Sequence, residues 1–307
     1  MPVVNVASQG EFIIDKTFII LDKLFALYTN GFVQDITSFQ AIYDNESIVL
    51  PEPEVLVDSA SFTYGTDTDL AAVIQLAKSG VIDLHDYWTV GESRTVSLSA
   101  MSASGVGESH AAQNVEYVIM HDFNKNGDLG GILPEAGSLG FLLGQKDCLK
   151  TGGYMNSSNT NAGSWNSSAR RTWCNNVYLN ALPSWLKDNA VRMSIKTAAS
   201  YNGSTLQTTT DKVALFAAKE IFGGETQTSA GTNTSYSNLA EFNALTQVEY
   251  YKTAANRIKT MNNSASDWWE RSPHYGSATI FCRVNADGSA GNYNASLTRG
   301  LAPFICI

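Results

Sequence analysis

Positive charge is scarce in this sequence: 20 Lys and Arg stand against 29 Asp and Glu, giving a net charge of −9 and a pI near 4.9. That balance argues against a nucleic-acid backbone or an anionic membrane as the principal partner. Charge of either sign is low, at 16% of 307 residues where an average soluble chain has roughly 25%, and Asn, Ser, Thr and Gly fill the gap. Long apolar runs are missing too. Met1 to Lys16 has no basic leader, and Asp15, Lys16, Asp22 and Lys23 interrupt the apolar stretch around it. Neither a signal peptide nor a membrane span is expected, and the chain should be made in a cytosol and kept in solution. The four cysteines, Cys148, Cys174, Cys282 and Cys306, have no CxxC or other metal spacing and are expected to be reduced, buried thiols. There is no glycine-rich phosphate cradle, no nucleophile elbow and no fixed-period repeat. No cofactor is therefore expected.

What is present implies about two domains. Apolar residues at Ile14, Phe18, Leu21, Phe25 and Tyr28, with a second row at Ile13, Ile20, Leu24 and Leu27, predict a helix over 11–28 that Asn30-Gly31 closes. Its two apolar rows either pack under their own domain or join an oligomeric bundle. A short β-like stretch follows, and Pro51-Glu52-Pro53-Glu54 stiffens the chain into a domain boundary. Thr66-Asp67-Thr68-Asp69 supplies a cap and dipole-complementing acids for a helix that runs to Gly80. Strands are expected at Arg94–Leu98 and Glu116–His121. Helices are expected from Ser167 or Ser168 to Leu182, stopped by Pro183, and from Leu239 to about Met261. The fold class is α+β.

Catalytic and metal-binding patterns are weak. Asp122-Phe123-Asn124-Lys125-Asn126-Gly127-Asp128 copies the first half of a calcium loop, but position 12 is Leu133 in place of the bidentate carboxylate, so a turn is the better reading. Ser109, His110 and Asp122 are the residue types of a hydrolytic triad, yet a serine adjacent to its base has no geometric reason to face it. His85, His121 and His274 are scattered singly. The last forty residues are more informative. Trp268, Trp269, Ile280, Phe281, Val284 and 304–307 would hold strands, and Asp287-Gly288 would make a turn. The positions between are small, polar or aromatic, the composition of an adaptable paratope.

Several motifs in this region resemble one family. They are Trp268-Trp269-x-Arg271-Ser272-Pro273, Phe281-Cys282-x-Val284-x-x-Asp287-Gly288-Ser289 and Ala295-Ser296-x-x-x-Gly300-Leu301-Ala302-Pro303-Phe304-Ile305-Cys306-Ile307. Upstream, 88–101, 107–113, 121–124 and 167–175 are similar to the same family in the same order. The family is a C-type-lectin-like group from gut Firmicutes and their phages, resembling the variable proteins of diversity-generating retroelements. The resemblance covers roughly 85–307. It implies a C-type-lectin-like (formylglycine-generating-enzyme-like) fold there, with a variable segment at 268–307. A short helical connector would span 58–84, and 1–57 would attach or oligomerise the chain. The implied function is non-enzymatic recognition of a bacterial surface receptor, protein or glycan, by a phage or prophage tail protein in the virion, a homo-oligomer and possible trimer contacting other tail proteins. The implied contact positions are His274, Tyr275, Ser277, Ala278, Thr279, Arg283, Asn285, Asn292, Tyr293, Asn294, Ser296, Leu297, Thr298 and Arg299. Trp268, Trp269, Phe281 and Gly300 would be scaffold. The alternatives are a cellular lectin-like surface or effector protein that binds glycans, and an oxidase of the formylglycine-generating type. The oxidase needs a paired cysteine motif, whereas Cys282 and Cys306 are expected to pack in neighbouring strands.

Overall fold

The computed structural model describes residues 14–20, 23–28, 33–35, 55–57, 60–224 and 238–307. The chain divides into two compact units, Met1–Trp88 and Thr89–Ile307. Among the described residues no helix is long and apolar enough to cross a membrane.

In Met1–Trp88 the strands are β1 (Ile14–Ile20), β2 (Lys23–Tyr28), β3 (Val33–Asp35) and β4 (Val55–Val57), in the order β3-β2-β1-β4. β1 and β2 form an antiparallel pair with Phe18 opposite Phe25 and Ile20 opposite Lys23, and β4 runs parallel to β1. The helix expected over 11–28 is thus a hairpin. An apolar run that satisfies helical spacing also suits a strand. Ile14, Thr17, Phe18, Ile19, Ile20, Phe25 and Tyr28 are β-branched or aromatic, and they tip the choice toward extended backbone. The bundle argument for an oligomer falls with the helix. Asn30-Gly31 and the Pro51–Glu54 boundary lie outside the described residues.

The capped helix is α1 (Asp67–Lys78). Thr66 accepts from the Asp69 backbone while the Asp69 carboxylate accepts from Thr66, and Gly80 follows at φ +74°. It buries Leu70, Val73, Ile74 and Leu76. In the same unit Trp88 donates to the Ala60 carbonyl at 2.8 Å, with Phe62 edge-on at 5.0 Å.

Thr89–Ile307 holds β5 (Ser93–Leu98), β6 (Gln113–Asp122), β7 (Ile132–Pro134), β8 (Phe141–Gln145), β9 (Met193–Ala198) and β10 (Leu206–Asp211). It continues with β11 (Lys259–Met261), β12 (Ser264–Ser266), β13 (Trp268–Pro273), β14 (Ile280–Val284), β15 (Ala290–Asn294) and β16 (Phe304–Cys306). These make small antiparallel sheets, β16-β8-β6-β5, β10-β9-β7, β11-β12 and β13-β14-β15, so the architecture is α+β. β8 is buried along its whole length, and β16 pairs with it, Ile305 opposite Leu143.

Ser168 caps α2 (Ala169–Trp173), accepting from the Arg171 N–H at 3.1 Å. The helix continues through a π-helical turn, Cys174–Tyr178, and ends at Leu179–Ala181 before Pro183. A further short helix, α3, spans Ala218–Phe222. The long helix expected from Leu239 to about Met261 is not formed. It is one turn at Glu241–Ala244, two 3-10 turns and then β11. Tertiary partners break the ladder: the Thr246 N–H donates to Leu129, the Val248 N–H to Glu220, and the Gln247 amide to Ile221. Burial of Val248 and Tyr251 holds that path. Cys282 and Cys306, expected in neighbouring strands, lie in different sheets, on β14 and β16.

Candidate ligand-binding face

The C-terminal hairpin rests on β13, all six of whose residues are buried. Trp268 donates from Nε1 to the Arg257 carbonyl at 2.9 Å, and Trp269 to that of Gly153 at 2.8 Å. Arg271 uses all five N–H donors. Two go in parallel to the Glu220 carboxylate at 2.5 Å each, and the others to Thr197 Oγ1, Leu215 O and Lys196 O at 2.8–3.0 Å. Glu220 also accepts from the Ala217 N–H, capping α3. Ser272 donates to buried Glu241, whose other oxygen accepts from the Ala198 N–H at 2.6 Å. Between them Glu270 is fully buried, and neither of its oxygens has a hydrogen-bond partner among the described residues. Burial pushes its carboxyl well above the ordinary range, reinforced by Glu241.

β14 and β15 pair with Phe281 opposite Tyr293 and Val284 opposite Ala290. Gly288, at φ +84°, turns the hairpin, and the Asp287 carboxylate accepts from the Ser289 N–H and hydroxyl. Trp268, Trp269, Phe281 and Gly300 lie buried. Of the fourteen candidate positions, Tyr275, Ala278, Thr279, Tyr293, Leu297 and Thr298 are exposed. His274, Ser277, Arg283, Asn285, Asn292, Asn294, Ser296 and Arg299 are half-buried, and none is buried.

They do not form one patch. The pleat puts Arg283 and Tyr293 on one side of the hairpin and Asn292 and Asn294 on the other. Arg283 and Arg299 converge on the Tyr293 ring, their guanidinium carbons 5.1 Å and 3.6 Å from its centre, and both pair with one oxygen of Asp267. Arg283 also donates to the Asn292 carbonyl at 3.2 Å. Two guanidiniums against one carboxylate leave this corner positive. Asn285 instead braces the turn, donating to Ser289 Oγ and Ala290 O.

The loop carrying His274, Tyr275, Ser277, Ala278 and Thr279 is clamped from a distance. The Asn161 side chain donates to the Ser277 and Ile280 carbonyls at 2.7 Å each, its backbone N–H donates to Ala278 O, and the Gly276 N–H donates to Tyr201 O. Asn159 accepts from the Ser296 N–H and hydroxyl. Sequence reasoning missed Asp267, Asn159 and Asn161. Asp267 sits directly before Trp268, where a lone acid beside an Arg-bearing hairpin is a readable signal. The two asparagines are more than a hundred residues from what they hold, and nothing local marks them.

The other candidate residues have structural partners. Asp122 caps the helical turn Phe123–Asn126, accepting from the Asn124 and Lys125 N–H groups at 2.9 and 3.1 Å, and His121 Nε2 lies 2.8 Å from Gly127 O. His110 is buried beside the Trp173 ring, its backbone bonded in both directions to Met101. Burial, with the Arg170 charge, lowers its pKa to about 4. All four cysteines are free and buried. Gly300 has no room for a side chain: a Cβ there would sit 2.5 Å from Cys148 Sγ and 2.9 Å from Asp267 O. Gly300→Ala is therefore expected to cost ~1–3 kcal/mol, read as a lower urea midpoint at unchanged m.

No curated protein and no solved structure matches the chain. Over residues 140–307, more than half of its length, the sequence matches a family described as "Domain of unknown function (DUF6273)", and the chain belongs to that family.

Proposed function

We propose that the C-terminal region is a C-type-lectin-like recognition domain. Its loop and hairpin surfaces at 274–299 bind a bacterial surface receptor, and the chain acts without catalysis as a phage or prophage tail protein attached to the virion through its N-terminal unit. One observation carries this reading. All fourteen candidate positions retain solvent exposure, while the adjoining strand β13 is buried and held by Trp268, Trp269 and the Arg271–Glu220 pair. Side-chain replacement at exposed positions whose side chains have no polar partner among the described residues, such as Tyr275, Ala278 and Leu297, changes stability by about ±0.5 kcal/mol or less, whereas replacement in the buried frame costs more. Recognition can therefore change while the fold persists.

Tyr275 and Tyr293 supply rigid aromatic area, with Arg283 and Arg299 presented on Tyr293. The oxidase alternative is disfavoured by the thiols themselves. Burial pushes Cys148 and Cys174 up to about 12 and also raises Cys282 and Cys306, which keeps the four thiols protonated at neutral pH.

Sequencing the 3′ end of this gene in a natural population tests the proposal. Substitutions are expected to concentrate at the fourteen positions and to spare Trp268, Trp269, Arg271, Phe281 and Gly300. An even spread, or an invariant segment, would reduce the domain to a binder of one fixed ligand.

A further inference from the structure

We infer a second binding site, for a small oxyanion of the phosphate or sulfate class. It lies in a cleft of about 570 Å³ that none of the C-terminal candidates lines. Three cations reach it from segments far apart in sequence: Arg171 on α2, Arg192 just before β9 and Lys212 just after β10.

Arg171 is already committed. Its Nε donates to Asp211 Oδ1 at 2.6 Å, and its Nη atoms donate to Asn166 O and Thr210 O. Asp211 is committed in turn, because Trp165 Nε1 and Thr209 Oγ1 donate to its second oxygen. The two remaining charges differ. Among the described residues neither the Arg192 guanidinium nor the Lys212 ammonium is in an ion pair. Their backbones are nonetheless fixed: the Lys212 N–H donates to Asn175 Oδ1 at 2.8 Å and the Arg192 N–H to Glu135 Oε1 at 2.9 Å. Among the described residues Glu135 does not line the cleft, and the one lining carboxylate, Asp211, is the one consumed by Arg171. In a chain of net charge −9, two unpaired cations over neutral polar walls make a local positive field that draws in anions.

The cleft wall is also where the helix departs from regularity. Asn175 donates from its side-chain amide to the Arg171 carbonyl at 3.0 Å, the acceptor that its own backbone N–H would take in an α-helix. Inserting a side chain into the ladder opens the π-helical turn Cys174–Tyr178, a device that recurs at binding sites. The turn carries Asn175 and Asn176 into the cleft.

Calorimetric titration of the full chain with inorganic phosphate, and separately with inorganic sulfate, tests the site at constant ionic strength with NaCl as reference. Saturable binding of one or both oxyanions is expected. The double variant Arg192→Gln/Lys212→Gln should weaken it about tenfold or more at an unchanged melting temperature. Arg283→Gln/Arg299→Gln should leave it unchanged. Adding glucose 6-phosphate separates the sources: tighter binding than inorganic phosphate assigns the site to a sugar ester, and equal binding assigns it to the free ion. Heat no different from NaCl, or a double variant that binds as the parent does, would overturn the inference without touching the C-terminal face.

Discussion

Replacing Arg271 with methionine is expected to remove ~3–5 kcal/mol of unfolding free energy, the loss seen when one partner of a buried ion pair is deleted. Glu220 would be left fully buried without its two shortest hydrogen bonds, and Thr197, Leu215 and Lys196 would each lose a donor. Against a total of about 5–15 kcal/mol for a domain, that is a large fraction of the stability. Urea unfolding followed by tryptophan fluorescence reads it directly, since Trp268 and Trp269 flank the site in β13. Arg271→Lys should rescue little, because an ammonium cannot make the parallel pair to Glu220. A loss below about 1 kcal/mol would mean that the pair is not the keystone of the frame.

The second large effect concerns pH. Glu270 is buried beside Glu241, and its folded-state pKa lies well above the ordinary carboxyl value. A raised folded pKa contributes stability that is complete below the unfolded pKa and is lost as pH rises toward the folded one. The difference in stability between parent and Glu270→Gln should therefore favour the parent near pH 4 and shift toward the variant as pH rises above the ordinary carboxyl range. Each unit of displacement is worth ~1.4 kcal/mol. Other titrating groups are common to both chains and largely cancel. They include His110, whose lowered pKa acts in the opposite sense by removing stability as pH falls from 6.5 toward about 4. They also include Lys259, lowered to about 8 by burial, which removes stability as pH falls from 10.5 toward about 8. A pH-independent difference would show that Glu270 is ionised or hydrated in the folded protein.

Much of the local structure was legible where one short-range rule sufficed. Thr66 and Asp69 announce their own capping box, Asp287-Gly288 its turn, and Ser168 and Pro183 bracket a helix. The failures share a cause. At 11–28 a dense apolar run satisfies two periodicities, and side-chain branching decides between them. At 239–261 the backbone groups found partners on Leu129 and Glu220, which no window of sequence contains. The candidate face shows the same split. Exposure of the tyrosines follows from composition, whereas the Asp267 bridge and the Asn161 clamp depend on long-range packing. Alternation along β15, a rule that needs only the strand's existence, already separates Tyr293 from Asn292 and Asn294.

The position of β16 also sets when the sheet that it completes can close. Residues 304–306 are buried against β8 and lie downstream of every candidate contact position. The growing chain lacks one strand of its central sheet until that segment clears the ribosome. A polypeptide terminated between 274 and 299 lacks β16 and leaves the β8 edge that it pairs with, among the described residues, without those backbone partners. An unpaired strand edge of this kind makes an unfinished chain prone to aggregation. Pairing of β8 thus depends on residues that follow every candidate contact position, so a change at 304–306 reaches the sheet without touching any of them.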